Sequence, residues 1–174
     1  VNGVKLASEG VRSFRFQDEG WLGTSTINVG LDKMAHAFNT YLLSEIIGAR
    51  IRHKTGVERG TALTGAALAS GLMIYSELTD GIKVTSGFSF QDVAFNTAGA
   101  AFSVVRNTVP GLEQKLDFRL MITPNKDIYT FSGQEHYRQM RFVFALQLAG
   151  FEGLENSPLR FVELHAGYAA RGFT

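Results

Sequence analysis

Three short polar sets stand beside apolar stretches of the chain: Asp32-Lys33-x-x-His36, Glu77-x-x-Asp80 and Asp92-x-x-x-Asn96. Residues three or four apart share one face of a helix. Asp32 therefore sits with His36, Glu77 with Asp80, and Asp92 with Asn96. Three helices packed side by side would bring these faces into one polar pocket. Each uncompensated charge buried there costs several kcal/mol, roughly, so the set must pair internally, hold an ion or transfer protons. In the first case Lys33 bridges Glu77 or Asp92, His36 bonds a carboxylate, and Asn96 satisfies backbone. In the second, His36, Glu77, Asp80 and Asp92 offer a mixed nitrogen and oxygen donor set to a divalent cation; no other cofactor is expected. In the third, His36 is a general base oriented by a carboxylate, and Glu77, Asp80 and Asp92 are the other catalytic candidates. No nucleophile elbow, HExxH motif or Gly-rich phosphate loop accompanies these residues. All three readings stay open at this point.

The elements that must position the sets follow from periodicity. Met34, Phe38, Tyr41, Leu42 and Ile46 recur at helical spacing after Asp32, an acid suited to a first turn. Arg50, Arg52, His53 and Lys54 place positive charge at the far end, and Gly56 is the expected stop. Gly60 to Ser76 then runs without a charge. As a helix it would span about 25 Å, a little short of a bilayer core of about 30 Å, so it reads equally as a membrane span or as the central helix of a bundle. Small residues line it (Ala62, Ala66 and Ser70 on one row, Ala67 and Gly71 on the next), which permits close helix approach. Glu77 and Asp80 are expected to end it, with Gly81 as cap. A third helix is expected from about Ser89, with Ala94, Ala98 and Ala101 small, until "TVPG" at Thr108 to Gly111 breaks it.

Before these helices, "VRSFRF" (Val11 to Phe16) alternates like a short strand or extended arm, and "DEGWLGT" (Asp18 to Thr24) reads as a turn with Trp21 exposed. After them, Phe142, Phe144, Leu146 and Leu148 alternate in one segment. In a second, Val162, Leu164, Ala166 and Tyr168 oppose Phe161, Glu163 and His165. Aromatic-rich, period-2 segments of this kind suit outer-membrane strands or a soluble antiparallel hairpin on helices. Two or three of them cannot close a barrel, which takes about eight strands. The fold class expected is α+β: a small bundle of three short, small-residue-rich helices followed by an antiparallel β region, membrane-associated. Residues 1–110 form the arm and bundle, and residues 111–174 the β extension, the two making one compact unit in one version of this reading.

Composition narrows the function. The 17 basic and 16 acidic residues balance, giving no electrostatic case for nucleic acid. The absence of cysteine excludes disulfide and thiolate chemistry. High glycine and phenylalanine content suits close-packed helices or membrane-type strands. His136 and His165 fall in turn or strand contexts and read as surface or sheet-face residues. Trp21 suits either a membrane interface or a cap on the bundle. Ile51 to Lys54 suits either anionic head groups or a solvated helix end.

The stretches "EGWLGTSTINVGLDKMAHAFNTYLLSE" and "IYSELTDGIKVTSGFSFQDVAFNTAGAAF" resemble the YfiM-like predicted periplasmic lipoproteins of Gram-negative bacteria, a family of unknown function. They are distantly similar to VanZ-like membrane proteins. The ordered set Asp32, Lys33, His36, Glu77, Asp80, Gly87, Ser89, Asp92, Gly99 and Ala100 carries the likeness. "SGQEHYRQMRFVFAL" and "LHAGYAARGF" look like the β tails of longer members. The resemblance covers roughly residues 16–173. It implies the cell envelope, at the outer membrane or in the periplasm with a signal peptide already removed. Shorter members carry a lipidated cysteine, so in this chain such an anchor is expected only upstream. The function expected is a non-enzymatic structural or accessory envelope protein within a larger assembly. Its partners would be membrane lipid, and an envelope protein or a second copy through the β segments. The alternative is an envelope lipid or cell-wall hydrolase, metal-assisted or not, using His36, Glu77, Asp80 and Asp92.

Overall fold

The computed structural model describes residues 10–123 and 136–170. Three helices come first: α1 (Leu31–Thr55), α2 (Thr61–Ile82) and α3 (Phe90–Thr108). A three-stranded antiparallel sheet follows, β1 (Leu116–Ile122), β2 (Met140–Gln147) and β3 (Glu163–Tyr168), in the order β1-β2-β3. The class is α+β. Ser132 to Glu135 and Arg171 to Phe173 of the β-tail stretches lie outside the described residues.

The helices pack through their small residues. A Cβ added to Gly99 on α3 would lie 2.0 Å from the Ala37 carbonyl oxygen of α1, and one on Gly65 of α2 would lie 2.6 Å from that of Ser44. Both crossings therefore require the missing side chain. On α2 Thr61 and Gly65 meet α1 at Gly48 and Ser44, Ala66 and Ala69 are also buried, and Ala67 and Gly71 face outward. Of the two rows expected from spacing, the first faces inward through buried Ala66, with Ala62 and Ser70 half-buried, and the second faces outward. Gly56 ends α1 with φ 68, its N–H bonded to the Arg52 carbonyl.

Helix α2 ends close to where Glu77, Asp80 and Gly81 were expected to end it, with Lys83 rather than Gly81 as the cap. It runs to Ile82, carrying Glu77 and Thr79 inward as buried residues of its last turns. Among the described residues no helix is long and apolar enough to cross a membrane. Helix α3 begins where expected, with the Ser89 hydroxyl accepting from the Asp92 N–H.

The sheet covers one side of α1 and α3. Phe38 and Tyr41 from α1, Phe102 from α3, and Phe118, Phe142 and Phe144 from the strands form one aromatic contact network, with Phe118 stacked on Phe144 at 4.7 Å. Register pairs Phe118 with Phe144 and Phe142 with Tyr168. Strand β1 was not singled out from the sequence, although Leu116, Phe118, Leu120 and Ile122 alternate with Asp117 and Arg119. A second polar junction ties β1 to the helices. Glu45 accepts from Ser103, Arg106 and Asn107, Arg106 also reaches the Leu116 carbonyl, and the Tyr41 hydroxyl donates to Asp117 at 2.6 Å.

Val11 to Phe16 is an extended arm rather than a full strand. It is bridged to Lys83 and Phe88 and hydrogen-bonded along the connection from α2 to α3. The turn after it leads into α1 through Asn28 and Val29, both at φ 54. This conformation is unfavourable for a β-branched residue. It is held from the sheet, where the Tyr168 hydroxyl donates to the Val29 carbonyl at 2.7 Å.

Candidate functional site

Helix α1 supplies Asp32, Lys33, His36 and Thr40 from its first turns, α2 supplies Glu77, α3 supplies Asp92 and Asn96, and the arm delivers Glu19. Lys33 is the centre. It is wholly buried, and its ammonium lies 2.5 Å from Glu19 Oε2, 2.9 Å from Asp32 Oδ2 and 2.7 Å from Asp92 Oδ1. Burial alone would favour loss of its proton. Hydrogen bonds to Asp92 and Glu19 outweigh that and hold its pKa above the ordinary lysine range.

His36 lies on the neighbouring turn. Its Nδ1 is 3.2 Å from Asn96 Oδ1 and 3.6 Å from Glu77 Oε1, and its Nε2 is 3.7 Å from Asp92 Oδ1. The Thr40 hydroxyl lies 2.9 Å from both the His36 carbonyl and Asn96 Oδ1. Asn96 Oδ1 is thus an acceptor facing two donors. With the Asn96 amide so placed, the ring tautomer that donates from Nδ1 fits, and in it Nε2 carries the lone pair.

Glu77 is 1 % exposed, and its Oε1 has no hydrogen-bond partner. Burial pushes its carboxyl up to about 8, repulsion from Asp92 and Asp80 adds to this, and a backbone hydrogen bond from Ser89 partly opposes it. Glu19 is raised as well. Burial is the largest cause, the Lys33 hydrogen bond opposes it, and repulsion from Asp92 and Asp32 adds to the rise. Three carboxylates thus share one ammonium and a fourth, Glu77, lies beside His36, so the cluster carries more acid groups than lysines.

Of the seven residues that spacing brought forward, the fold gathers Asp32, Lys33, His36, Glu77, Asp92 and Asn96. Asp80 turns aside and pairs with Lys83, three residues on. Lys33 takes Asp92, not Glu77. Glu19 and Thr40 were missed. Thr40 was legible, since it extends the Asp32–His36 row by another four residues. Glu19 was not, because nothing local in "QDEGW" says which residue a turn acid will meet. Tyr137 also borders the site: burial raises its phenol, and the charges of Asp32 and Asp92 add to the rise. His165 is on exposed β3, 3.3 Å from Glu163, and Trp21 is exposed with its ring 6.4 Å from that of Phe95.

Chemically the arrangement can store and exchange protons, anchor the arm to the bundle, or accept a cation between His36 and its two carboxylates. A family model described as a predicted periplasmic lipoprotein (DUF2279) matches residues 18–108. That span begins at the arm's acidic turn and ends with α3, so it contains Glu19, Asp32, Lys33, His36, Thr40, Glu77, Asp92 and Asn96 but none of the sheet. No curated protein and no solved structure matches the chain.

Proposed function

This chain belongs to the predicted periplasmic lipoprotein family designated DUF2279, and we propose that in the cell envelope it works as a non-enzymatic accessory protein that docks on membrane lipid through α2. The outer face of α2 carries this reading. Leu68, Leu72 and Tyr75 recur at four- and three-residue spacing on one face, and with Leu63, Ile74 and Leu78 they are 41 % to 64 % exposed. Exposed apolar side chains scattered singly need no explanation, but a continuous stripe does. No charge interrupts it from Gly60 to Ser76. Arg50, Lys54 and Arg59, exposed around the α1–α2 turn, add positive charge at one end, which suits anionic head groups. A helix lying in the interface needs no bilayer-spanning length.

In this reading the Lys33 cluster is the internal lock that holds the arm and the three helices in register beneath the docking face. The test is flotation with phosphatidylglycerol/phosphatidylethanolamine vesicles. Wild type is expected to float, and a Leu68→Glu/Leu72→Glu variant with unchanged circular dichroism to stay at the bottom. Wild type that remains at the bottom would overturn the reading. Hydrolysis of envelope lipid or cell-wall polymer by wild type, lost in His36→Ala with the fold intact, would favour the hydrolase instead.

A further inference from the structure

The geometry points to a divalent-cation site formed by His36, Glu77 and Asp92. Two acidic trios occur in the cluster, each with one donor atom per residue lying within 4.8 Å of the others: Glu19, Asp32 and Asp92, and His36, Glu77 and Asp92. The first has its cation built in, because the Lys33 ammonium contacts all three carboxylates. The second shares Asp92 with it, but Glu77 and His36 have no ion pair with Lys33. Among the described residues Glu77 pairs with no lysine or arginine, only with the imidazole 3.6 Å away.

The independent sign of a ligand is Glu77 itself. It is a buried carboxylate whose Oε1 meets no donor while facing the ring of His36. Leaving such a group unpaired in the interior is costly. An ion coordinated by Glu77, Asp92 and His36 would remove the cost and offset the acid excess that one lysine leaves. The ring is already oriented for this role. Asn96 Oδ1 lies 3.2 Å from Nδ1 and Nε2 faces Asp92 Oδ1 at 3.7 Å, so in the tautomer that donates from Nδ1 to Asn96 the nitrogen left to ligate is the one facing Asp92. Such a hydrogen bond at the non-ligating nitrogen is the usual support for a metal-binding imidazole. Side-chain shifts of about 1 Å would close these separations to those around an ion with bonds of about 2.0–2.2 Å. His36 is the partly exposed member of the trio, its side chain 25 % accessible, which gives an ion a way in and leaves a coordination position toward solvent. One imidazole with two carboxylates suits zinc or manganese better than calcium, which takes oxygen alone. Lys33 opposes cation binding at Asp92, but Glu19 and Asp32 neutralise it from the other side. The inference does not depend on membrane docking.

The test is calorimetric titration of Zn2+ into the chelator-stripped chain, with histidine ring NMR signals followed in parallel. Wild type is expected to bind a single equivalent, to melt at higher temperature when loaded, and to shift the His36 ring signals. Glu77→Gln removes no bond to a lysine or arginine, so it keeps the fold; it is expected to lose about 100-fold or more in affinity, since even supporting partners of ligands are worth about 10–100-fold. His36→Gln is expected to lose as much, and His165→Ala to bind like wild type. If neither Zn2+ nor Mn2+ binds wild type, the site is a proton-holding pair and the proposal falls. It falls equally if Glu77→Gln and His36→Gln bind as wild type does, or if only His165→Ala loses binding.

Discussion

Replacing Glu77 by glutamine should stabilise the metal-free protein, and by an amount that depends on pH. The side chain is buried against His36, with Asp92, Asp80 and Glu19 adding negative charge around it, and its carboxyl is pushed from an ordinary value of 4.5 up to about 8. Between those values the folded chain holds a proton that the unfolded chain has released. The Glu77 contribution to stability is therefore greatest below about pH 4.5, falls as pH rises, and stops falling above about 8. Each pH unit in that window costs about 1.4 kcal/mol, so at pH 7 the wild type has given up on the order of 3 kcal/mol. Glutamine is neutral throughout and nearly the same shape. Its carbonyl can keep the bond from Ser89. The variant should thus match wild type near pH 4.5 and exceed it by about 3 kcal/mol at pH 7. The assay is urea denaturation in chelator at half-unit pH steps from 4.5 to 8.5. A stability difference that stays constant across that range, or a variant that is less stable at pH 7, refutes the reasoning.

Lys33→Met should destabilise far more than a surface lysine change, by about 3–5 kcal/mol, because it strands Glu19, Asp32 and Asp92 without their cation; denaturant midpoints check this, and a loss below about 1 kcal/mol would mean the acids relax to solvent. Gly99→Ala should cost about 1–3 kcal/mol, since the new methyl meets the Ala37 carbonyl and must push α1 and α3 apart; thermal melts read the loss. Arg106→Ala should cost about 3 kcal/mol through Glu45 and the Leu116 carbonyl, and hydrogen exchange should show β1 opening from the helices ahead of the bundle. Tyr168→Phe should cost about 1 kcal/mol and loosen the turn before α1, through the lost bond to the Val29 carbonyl.

The sequence by itself determined whatever depends on neighbours a few residues away. The helical period after Asp32, the Ser89 cap, the glycine stop at residue 56 and the alternation of the last two strands are all local patterns, and they carry the α+β class. The three i, i+3 and i, i+4 polar sets are local in the same sense, and the cluster draws on each of them. Only the tertiary structure decided which acid meets which base. Lys33 could reach several carboxylates in principle, and it takes Glu19 because the arm runs along the α2–α3 connection and returns over α1. Asp80 is lost to Lys83, while Glu77, one helical turn earlier, is carried inward. Helix rotation decides between such neighbours, and rotation is set by where Gly65 and Gly99 allow backbones to touch. Spacing along one helix names the faces; the distance between helices decides which faces meet and which charges stay buried.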